Sequence, residues 1–177
     1  MNSQLKTQNS KLVFIALGSN LGDSHDLIRK AVSRLAKLSD ETVICSSLWQ
    51  TSPVDCPPGS PKFVNAVLGF TPRPKEAPES LLQKLQMLEM EFGRRPKQVL
   101  NEPRPLDLDL IAFSNEVCST PALTLPHPRA HQRRFVLQPL SEIAPQLVLP
   151  GQSQTVAQLL AGMRDDETCV KIAAAPA

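Results

Sequence analysis

The chain has 177 residues, of which 41% are hydrophobic and 20% are charged, and its formal net charge is only +2. This length and composition are typical of one globular domain and exclude an intrinsically disordered protein. The small net charge argues against a non-specific nucleic-acid binder, and no segment has the ~20 consecutive apolar residues that a membrane helix needs.

The N-terminus and the cysteines indicate a cytoplasmic protein. Residues 1–11 are polar and contain no apolar segment typical of a signal peptide, so we expect them to be disordered. The four cysteines are scattered without a C-x-x-C pair, which argues against a redox or zinc site. Reduced thiols in the cytoplasm are the simplest interpretation.

A strand and a helix are predicted at the start of the chain. Residues 12–17 form a short apolar run that predicts a buried strand, and the turn Gly18–Gly22 follows it. This turn lacks the lysine of a P-loop and the glycine spacing of a dinucleotide-binding loop. Asp23 or Ser24 is then placed to cap a helix. The apolar stripe of this helix consists of Leu27, Ile28, Ala31, Val32, Leu35 and Leu38.

Two further strands are predicted before the middle of the chain. Residues 42–51 are rich in β-forming residues, and a proline-rich loop over 55–61 follows them. Strict alternation over 63–70 predicts a strand in which Phe63 and Asn65 share one face, which leaves that face free for a function. The opposite, apolar face of this strand consists of Val64, Ala66, Leu68 and Phe70.

A second helix is predicted to begin at Pro78 and to end before Gly93. Its buried stripe consists of Leu81, Leu82, Leu85, Leu88 and Phe92. Gln86 and Glu89 lie three residues apart and are predicted on the polar side of this helix. The loop Gly93–Arg104 that follows is long for a connection, so we expect a mobile lid that closes over a ligand.

Residues 106–113 complete the predicted set of strands. The order strand, helix, strand, strand, helix, strand is that of an α+β, ferredoxin-like βαββαβ sandwich with an antiparallel sheet. Residues 114–116 predict a turn into a short strand. A C-terminal extension over 151–177 is expected to pack on the same domain or to trail from it, with a helix near 155–161 and a frayed tail from Ala173.

Asp107 and Asp109 are the strongest candidates for chemistry. On a strand both carboxylates point to one face, whereas on a helix they would diverge, and Pro103 and Pro105 argue against a helix. Two carboxylates about 7 Å apart repel each other, and a cation such as Mg²⁺ between them removes this repulsion. The D-x-D spacing alone, however, favours a simpler interpretation, an exposed strand face whose aspartates pair with Arg104.

Three arginines and a histidine flank this strand in the sequence. Taken singly, Arg94, Arg104 and Arg133 would each be a solvated loop charge, but together they suit a polyanionic ligand such as a phosphate chain. His127 lies between two prolines, where it either donates to a phosphate or stabilises its own turn. The sequence leaves both interpretations of the histidine open.

Several short motifs carry a resemblance to a known family. They are ALGSNLGD at 16–23, FVNA at 63–66, GR at 93–94, PRPLDLD at 103–109, LPHPR at 125–129 and RRFVL at 133–137. These motifs resemble those of the 6-hydroxymethyl-7,8-dihydropterin pyrophosphokinase family, and the resemblance extends from the first strand to about Leu149. The R-x-x-D-x-D element followed by L-P-H-P-R is highly specific. The resemblance implies a pyrophosphokinase domain over 12–150.

The resemblance also implies a reaction, namely transfer of the pyrophosphoryl group of MgATP to the hydroxymethyl group of 6-hydroxymethyl-7,8-dihydropterin in folate biosynthesis. Asp107 and Asp109 would hold two Mg²⁺ ions, and Arg94 and Arg104 would act beside them in catalysis. The residues implied to bind ATP are Gln86, Glu89, Arg94, Arg104, Leu110, Thr124, His127 and Arg133. The residues implied to bind the pterin are Thr51, Val54, Phe63, Asn65 and Phe135.

Two positions depart from the family pattern. Asn101 begins the stretch in which other members have a tryptophan, and Pro96 stands where another arginine can occur. The lid is therefore expected to offer weaker stacking and fewer cations. No general base for the substrate hydroxyl is evident. Asp109 or metal coordination alone would suffice, because positioning and charge neutralisation dominate such transfers, and the sequence leaves both alternatives open.

Two functions of other kinds compete with this one. A ferredoxin-like fold with basic loops can be an RNA-binding module, but such modules stack bases on strand aromatics, and this chain has no tyrosine and one tryptophan. An inactive pterin-binding relative is disfavoured because Arg104, Asp107 and Asp109 are intact. We therefore expect ATP and the pterin as substrates, no nucleic-acid or membrane partner, and a monomer.

Overall fold

The computed structural model describes residues 12–96, 102–164 and 168–176, and an antiparallel sheet forms its centre. The strands are β1 (Val13–Ser19), β2 (Ile44–Cys45), β3 (Leu48–Thr51), β4 (Phe63–Phe70), β5 (Asp107–Phe113), β6 (Cys118–Ser119), β7 (Thr124–Leu125) and β8 (Cys169–Ala173). The helices are α1 (Ser24–Leu35), α2 (Pro78–Glu91), α3 (Arg134–Ile143) and α4 (Val156–Ala161).

The sheet has the strand order β5-β1-β4-β3-β8, with β2 paired to β4, and β6 and β7 form a separate two-stranded sheet. When the short strands β2 and β3 are counted as one interrupted strand, the element order through β5 is strand, helix, strand, strand, helix, strand, as the sequence predicts. This topology confirms the α+β, ferredoxin-like fold. Within the described residues, no helix is long and apolar enough to cross a membrane.

Both faces of the sheet are covered by helices. Alternate residues of β1 and β4 enter two different cores, because successive side chains of a strand point to opposite faces. One core joins the sheet to α1 and α2, and it contains the predicted apolar face of β4, namely Val64, Ala66, Leu68 and Phe70. The other core joins the sheet to α3 and α4, and it contains Phe14, Ala16, Val67 and Ile111.

The pairing of β1 positions the predicted functional residues. Gly18 lies opposite Asn65 of β4 on one side and opposite Asp107 of β5 on the other. Directly paired residues project to the same face of an antiparallel sheet. The asparagine and the aspartate therefore lie on one face, at one end of the sheet.

The second predicted strand is interrupted, so the prediction of one strand over 42–51 is wrong in part. Ile44 and Cys45 pair with Gly69 and Leu68, but the next strand resumes only at Leu48. A β-bulge lies between them, where Ser46 donates its backbone N–H to Val67 O at 2.9 Å and accepts from Val67 N at 2.9 Å through its hydroxyl.

Glu89 contradicts its predicted position on the polar side of α2. Its residue is only 6% exposed, whereas Gln86 is exposed as predicted. The Glu89 carboxylate accepts a hydrogen bond from the backbone N–H of Leu108 at 2.7 Å and also pairs with Arg94. These two partners satisfy the carboxylate inside the fold, which is the condition for burying a charge.

The C-terminal segment adds one helix, which the sequence analysis predicts, and an edge strand, which it does not. The helix α4 lies where a helix near 155–161 is predicted, and β8 pairs antiparallel with β3. Glu142 of α3 connects these elements because it accepts hydrogen bonds from Ser47, Trp49 and Lys171. The predicted disordered segment 1–11 lies outside the described residues.

Candidate active site

A cavity of about 220 Å³ opens at the end of the sheet where Gly18 lies. Its lining includes the predicted residues Thr51, Val54, Phe63, Asn65, Arg104, Asp107, Asp109, Arg133 and Phe135. It also includes residues that the sequence analysis did not single out, namely Ala16, Leu17, Gly18, Ser52, Asp55, Cys56, Arg129 and Gln132. The two predicted sets, for the pterin and for phosphates and metal, thus meet in one cavity.

One end of the cavity is neutral and aromatic. Phe63 and Phe135 both line it, and the Arg133 guanidinium lies 5.3 Å from the centre of the Phe135 ring. The buried side-chain amide of Asn65 donates from Nδ2 to the hydroxyl of Thr51 at 2.8 Å. This end offers two aromatic rings and an amide, which suits a flat heterocycle with polar edges.

The other end of the cavity is charged. Asp107 accepts a hydrogen bond from Arg94 Nη1 at 2.7 Å on Oδ1, and Arg104 Nε lies 3.4 Å from its Oδ2. Arg104 Nε is buried and makes no hydrogen bond among the described residues. A buried donor without a partner inside a cavity is a feature of sites that bind an anionic ligand.

Asp109 has more distant cationic neighbours. Its Oδ2 lies 3.8 Å from Arg133 Nη1 and 4.0 Å from His127 Nε2. Burial raises the pKa of Asp109, and the charge of Asp107 raises it further, against the opposing effect of His127 and the arginines. Burial also lowers the pKa of His127, which keeps the imidazole largely neutral near pH 7.

Glu89 forms an ion pair with Arg94 next to the charged end of the cavity. The net pKa of Glu89 is raised to about 7, because the effect of burial outweighs the hydrogen bond from Leu108 and the charge of Arg94, which both lower the pKa. The arginine thus lies between Glu89 and Asp107 and contacts both carboxylates. Its guanidinium is held on the cavity side of α2 rather than extended into solvent.

The long loop after α2 is held at its C-terminal end, Arg104, by hydrogen bonds to Asn20. Asn20 is buried, accepts the backbone N–H of Arg104 at 2.9 Å on Oδ1 and donates its own N–H to Arg104 O at 3.2 Å. Its Nδ2 also donates to Pro61 O at 3.3 Å, so it joins three loops. A second cavity of about 410 Å³ lies on the other side of Arg104, between Leu21 and Pro96. Residues 97–101 of the predicted lid lie outside the described residues.

The carboxylate pair suits a Mg²⁺ ion that is also coordinated by a phosphate ligand. Asp107 and Asp109 supply hard oxygen ligands on one face of one strand. Among the described residues, no group of three or more His, Cys, Asp or Glu side chains is arranged to hold a metal ion by itself. A site with so few protein ligands suits an ion whose coordination is completed by phosphate oxygens and water.

Of the eight residues implied to bind ATP, only Arg104 and Arg133 line the 220 Å³ cavity; the other six are Gln86, Glu89, Arg94, Leu110, Thr124 and His127. Gln86 and Thr124 are exposed on α2 and β7, and the Leu110 side chain is 3% exposed in the core. These residues stay predictions.

Gly18 and Asn20 are the site residues that the sequence analysis missed or treated as ordinary turn residues. A Cβ built on Gly18 would lie 3.3 Å from Asn65 Oδ1 and 3.9 Å from both Phe63 Cδ1 and Asp107 Cβ. Gly18 thus forms the floor between the neutral and charged ends. The glycine in an otherwise apolar strand was the available signal, because such a glycine often marks close approach of a ligand.

Comparison with protein-family models gives a match to one family. The model of the 7,8-dihydro-6-hydroxymethylpterin-pyrophosphokinase (HPPK) family matches residues 14–145. The 2-amino-4-hydroxy-6-hydroxymethyldihydropteridine pyrophosphokinase of Haemophilus influenzae is 38% identical over 153 residues, which is 86% of this chain and 92% of that protein. The Folic acid synthesis protein fol1 of Schizosaccharomyces pombe is 34% identical over 156 residues, which is 88% of this chain but only 21% of that protein. The chain thus spans about a fifth of the length of this fungal relative.

Solved structures agree in fold. The HPPK-DHPS of Plasmodium falciparum matches with a TM-score of 0.67 at 14% identity and covers 89% of this chain and 46% of that chain. A second HPPK-DHPS, crystallised in complex with substrates, also has a TM-score of 0.67, at 11% identity, and covers 86% of this chain and 43% of that chain. At such low identity these likenesses support the fold and not the chemistry.

Proposed function

The chain belongs to the 7,8-dihydro-6-hydroxymethylpterin-pyrophosphokinase family, and on this basis we propose that it transfers the pyrophosphoryl group of ATP to 6-hydroxymethyl-7,8-dihydropterin in folate biosynthesis. The hydroxymethyl oxygen forms a bond to the β-phosphorus of ATP, and the bond from that phosphorus to the α,β-bridging oxygen breaks. The products are AMP and the pterin diphosphate.

The observation that carries this proposal is the juxtaposition of two chemically different ends in one cavity. Gly18 lies between Asn65 of the neutral end and Asp107 of the charged end, and it pairs with both. A heterocycle at the neutral end has its substituent within reach of phosphates at the charged end. Such positioning is a major part of catalysis in phosphoryl transfer, because it replaces a bimolecular encounter.

The charged end supplies the ATP side of the reaction. Arg94, Arg104, Arg133 and His127 are proposed to contact the phosphate chain, and Asp107 and Asp109 to hold two Mg²⁺ ions shared with it. Bound Mg²⁺ would neutralise phosphate oxygens in this part of the cavity. The arginines stabilise the negative charge that develops on the departing AMP. Gln86, Glu89, Leu110 and Thr124 are proposed on the adenosine side.

The neutral end supplies the acceptor side. Phe63 and Phe135 are proposed to stack on the two faces of the pterin, with a contribution of ~1–3 kcal/mol for each ring. The amide of Asn65 reads the polar edge of the ring, together with backbone groups of Thr51 and Val54. A closed hydrophobic contact here also keeps water away from the reacting phosphate.

We also propose that residues 12–150 form the pyrophosphokinase domain and that the extension 151–177 belongs to the same folding unit. The pairing of β8 with β3 and the ion pair between Lys171 and Glu142 at 2.8 Å support this. A monomer is proposed because one chain supplies both ends of the cavity. A cytoplasmic location is proposed because Cys45, Cys56 and Cys118 form no disulfide.

The direct test is incubation of the protein with MgATP and 6-hydroxymethyl-7,8-dihydropterin, with the nucleotide products separated by chromatography. AMP should appear together with the pterin diphosphate, and omission of the pterin should stop AMP formation. The Asp109→Asn protein is the matched control for a contaminating activity. Formation of ADP, or no pterin-dependent AMP, would overturn the proposal.

A further inference from the structure

Side-chain size decreases along the face of β1 that leads into the cavity, from Phe14 to Ala16 to Gly18. Phe14 is buried and fills the space beside Gly69, where a built Cβ would lie only 3.0 Å from Phe14 Cε1. Ala16 and Gly18 both line the cavity. The sheet is therefore covered by a large side chain at Phe14 and carries no side chain at all at Gly18.

The backbone conformation of Gly18 does not require glycine. Gly18 lies inside β1, and its φ is not in the left-handed region that Gly22, Gly59, Gly93 and Gly151 adopt. Residues with a side chain adopt the extended conformation of a strand readily, and a glycine inside a strand weakens it. The absence of a side chain is therefore the feature of Gly18 that needs an explanation.

A side chain at this position would stand between the two ends of the cavity. A Cβ built on Gly18 would lie 3.3 Å from Asn65 Oδ1 and 3.9 Å from both Phe63 Cδ1 and Asp107 Cβ. These three residues all line the cavity, the first two at its neutral end and the third at its charged end. An added methyl group would thus occupy the space that joins the two ends.

From this geometry we propose that Gly18 is a specificity-determining residue, because the space above its bare backbone holds the hydroxymethyl arm through which the acceptor reaches the phosphates. The inference rests on the proposed function and deepens it. Gly18 is paired with Asn65 on one side and with Asp107 on the other. A substituent that leads from a ring at Asn65 to a phosphate at Asp107 therefore crosses Gly18.

This role predicts that a methyl group on Gly18 affects the arm of the acceptor more than its ring. Overfilling a packed site costs binding energy, because neighbouring groups must shift. A heterocycle without a substituent has no group above Gly18 and should be largely insensitive to the change. An acceptor that binds with its hydroxyl displaced by about 1 Å can lose about 100-fold in rate.

The test compares wild type with Gly18→Ala in the presence of a non-hydrolysable MgATP analogue. Equilibrium binding of 6-hydroxymethylpterin, and of pterin without the 6-substituent, is followed by ligand fluorescence. The variant should weaken 6-hydroxymethylpterin at least about tenfold and leave unsubstituted pterin within about threefold. Affinity for the MgATP analogue, measured by calorimetry, should stay within about twofold. The kcat/KM for the reduced acceptor should fall at least about 100-fold.

A control and a second measurement separate this role from a merely structural one. Gly162→Ala makes the same change at the exposed end of α4, where the nearest atoms to a built Cβ lie at 3.6 Å, and it should change none of these affinities. Melting temperatures show whether both variants are folded. In the wild-type ternary complex, a nuclear Overhauser effect is expected between the Gly18 Hα protons and the methylene protons of 6-hydroxymethylpterin. This measurement does not depend on the folding of a variant.

A selective loss of 6-hydroxymethylpterin in Gly18→Ala, together with the Overhauser contact in wild type, supports the inference. Equal weakening of both pterins, no weakening of either, or absence of the contact overturns it while the proposed function stands. A wild-type protein that forms no pterin-dependent AMP overturns the inference and the proposed function together. The AMP assay on the wild-type protein therefore tells these failures apart.

Discussion

Glu142 and Asp109 are two carboxylates with opposite surroundings. Glu142 accepts hydrogen bonds from Ser47 N and Oγ at 2.9 and 2.7 Å, from Trp49 Nε1 at 3.2 Å and from Lys171 Nζ at 2.8 Å. Burial alone would raise its pKa, but the donors outweigh burial and lower the pKa to about 2. Asp109 instead has the Arg133 guanidinium at 3.8 Å and the His127 imidazole at 4.0 Å, and its pKa is raised.

The difference shows how one residue type can serve structure in one place and ligand binding in another. Each carboxylate oxygen of Glu142 accepts hydrogen bonds from two donors, so the hydrogen-bonding capacity of this carboxylate is used within the folded chain. Asp109 lies at a cavity with its nearest charges beyond hydrogen-bond distance, so its negative charge is not fully compensated. A carboxylate left in this state inside a cavity is placed to bind a cation.

The largest expected effect is on the rate when Asp107 or Asp109 is altered. Asp107→Asn and Asp109→Asn are each expected to lower kcat/KM by at least about 100-fold, or ~2.7 kcal/mol of transition-state stabilisation, because the metal loses a charged ligand. Steady-state kinetics with the reduced pterin measures this. More than about a tenth of the wild-type rate in either variant would contradict the metal assignment.

Melting curves sharpen this prediction for Asp109. Its pKa is raised above the ordinary value, so at pH 7 its ionised form is less favourable in the folded than in the unfolded chain. Asp109→Asn removes this cost, and the melting temperature should therefore stay the same or rise. A fall of several degrees would mean that the aspartate stabilises the fold, as Glu142 does.

The second largest effect is expected on stability, at Glu142. Glu142→Gln places an amide nitrogen against two donors, so we expect a loss of about 2–3 kcal/mol in the free energy of unfolding. For a chain of this size this corresponds to a fall of roughly 5–10 °C in Tm. The rate per folded molecule should stay within about twofold of wild type. Glu116→Gln, in an exposed turn, is the matched control.

The sequence predicts the active-site carboxylates far better than it predicts the Glu142 cluster. Alternation within single strands predicts which faces Asp107, Asp109 and Asn65 share, a pattern that two or three neighbouring residues establish, whereas their roles are implied by the family resemblance. Glu142 lies 95 residues from Ser47 in the chain, and its partners are brought together only by the tertiary fold. Local patterns carry no signal for a contact of this kind.

The same limit explains the error at Glu89 and the omission of β8. The helical period correctly identifies the buried leucines of α2, but a carboxylate next to that stripe is buried only because Leu108 and Arg94 satisfy it. The strand β8 forms because β3 has an open edge, to which Cys169–Ala173 pairs. Its sequence alone resembles a tail.

A third and smaller effect is expected at the neutral end of the cavity. Asn65→Ala removes the amide that we propose contacts the pterin, and we expect about a tenfold loss of pterin affinity with MgATP affinity within about twofold of wild type. Calorimetry with each ligand separately measures both. Asn115→Ala, in an exposed turn, controls for loss of an asparagine. Equal losses for both ligands would indicate general destabilisation.

The smallest effect concerns the acid side of the stability curve. The pKa of Glu142 lies at about 2 in the folded chain and at an ordinary 4.5 otherwise, so its contribution is fully present above about pH 4.5 and is lost as the pH falls toward 2. Lys171 is one of the donors that lower this pKa, but its side chain is 52% exposed, and solvent weakens the ion pair. Lys171→Met should therefore cost only about 0.5–1 kcal/mol at pH 7.

The pH dependence separates this ion pair from simple loss of packing. With Lys171→Met the folded pKa of Glu142 rises, so the difference between variant and wild type should shrink as the pH falls from about 4.5 and should be small near pH 2, where the wild-type carboxylate is about half protonated. Urea unfolding at several pH values measures it, and Lys171→Arg, which keeps the charge, should follow the wild type. A deficit that stays constant down to pH 2 would show that Lys171 acts through packing of β8, and Glu142 would then owe its low pKa to Ser47 and Trp49.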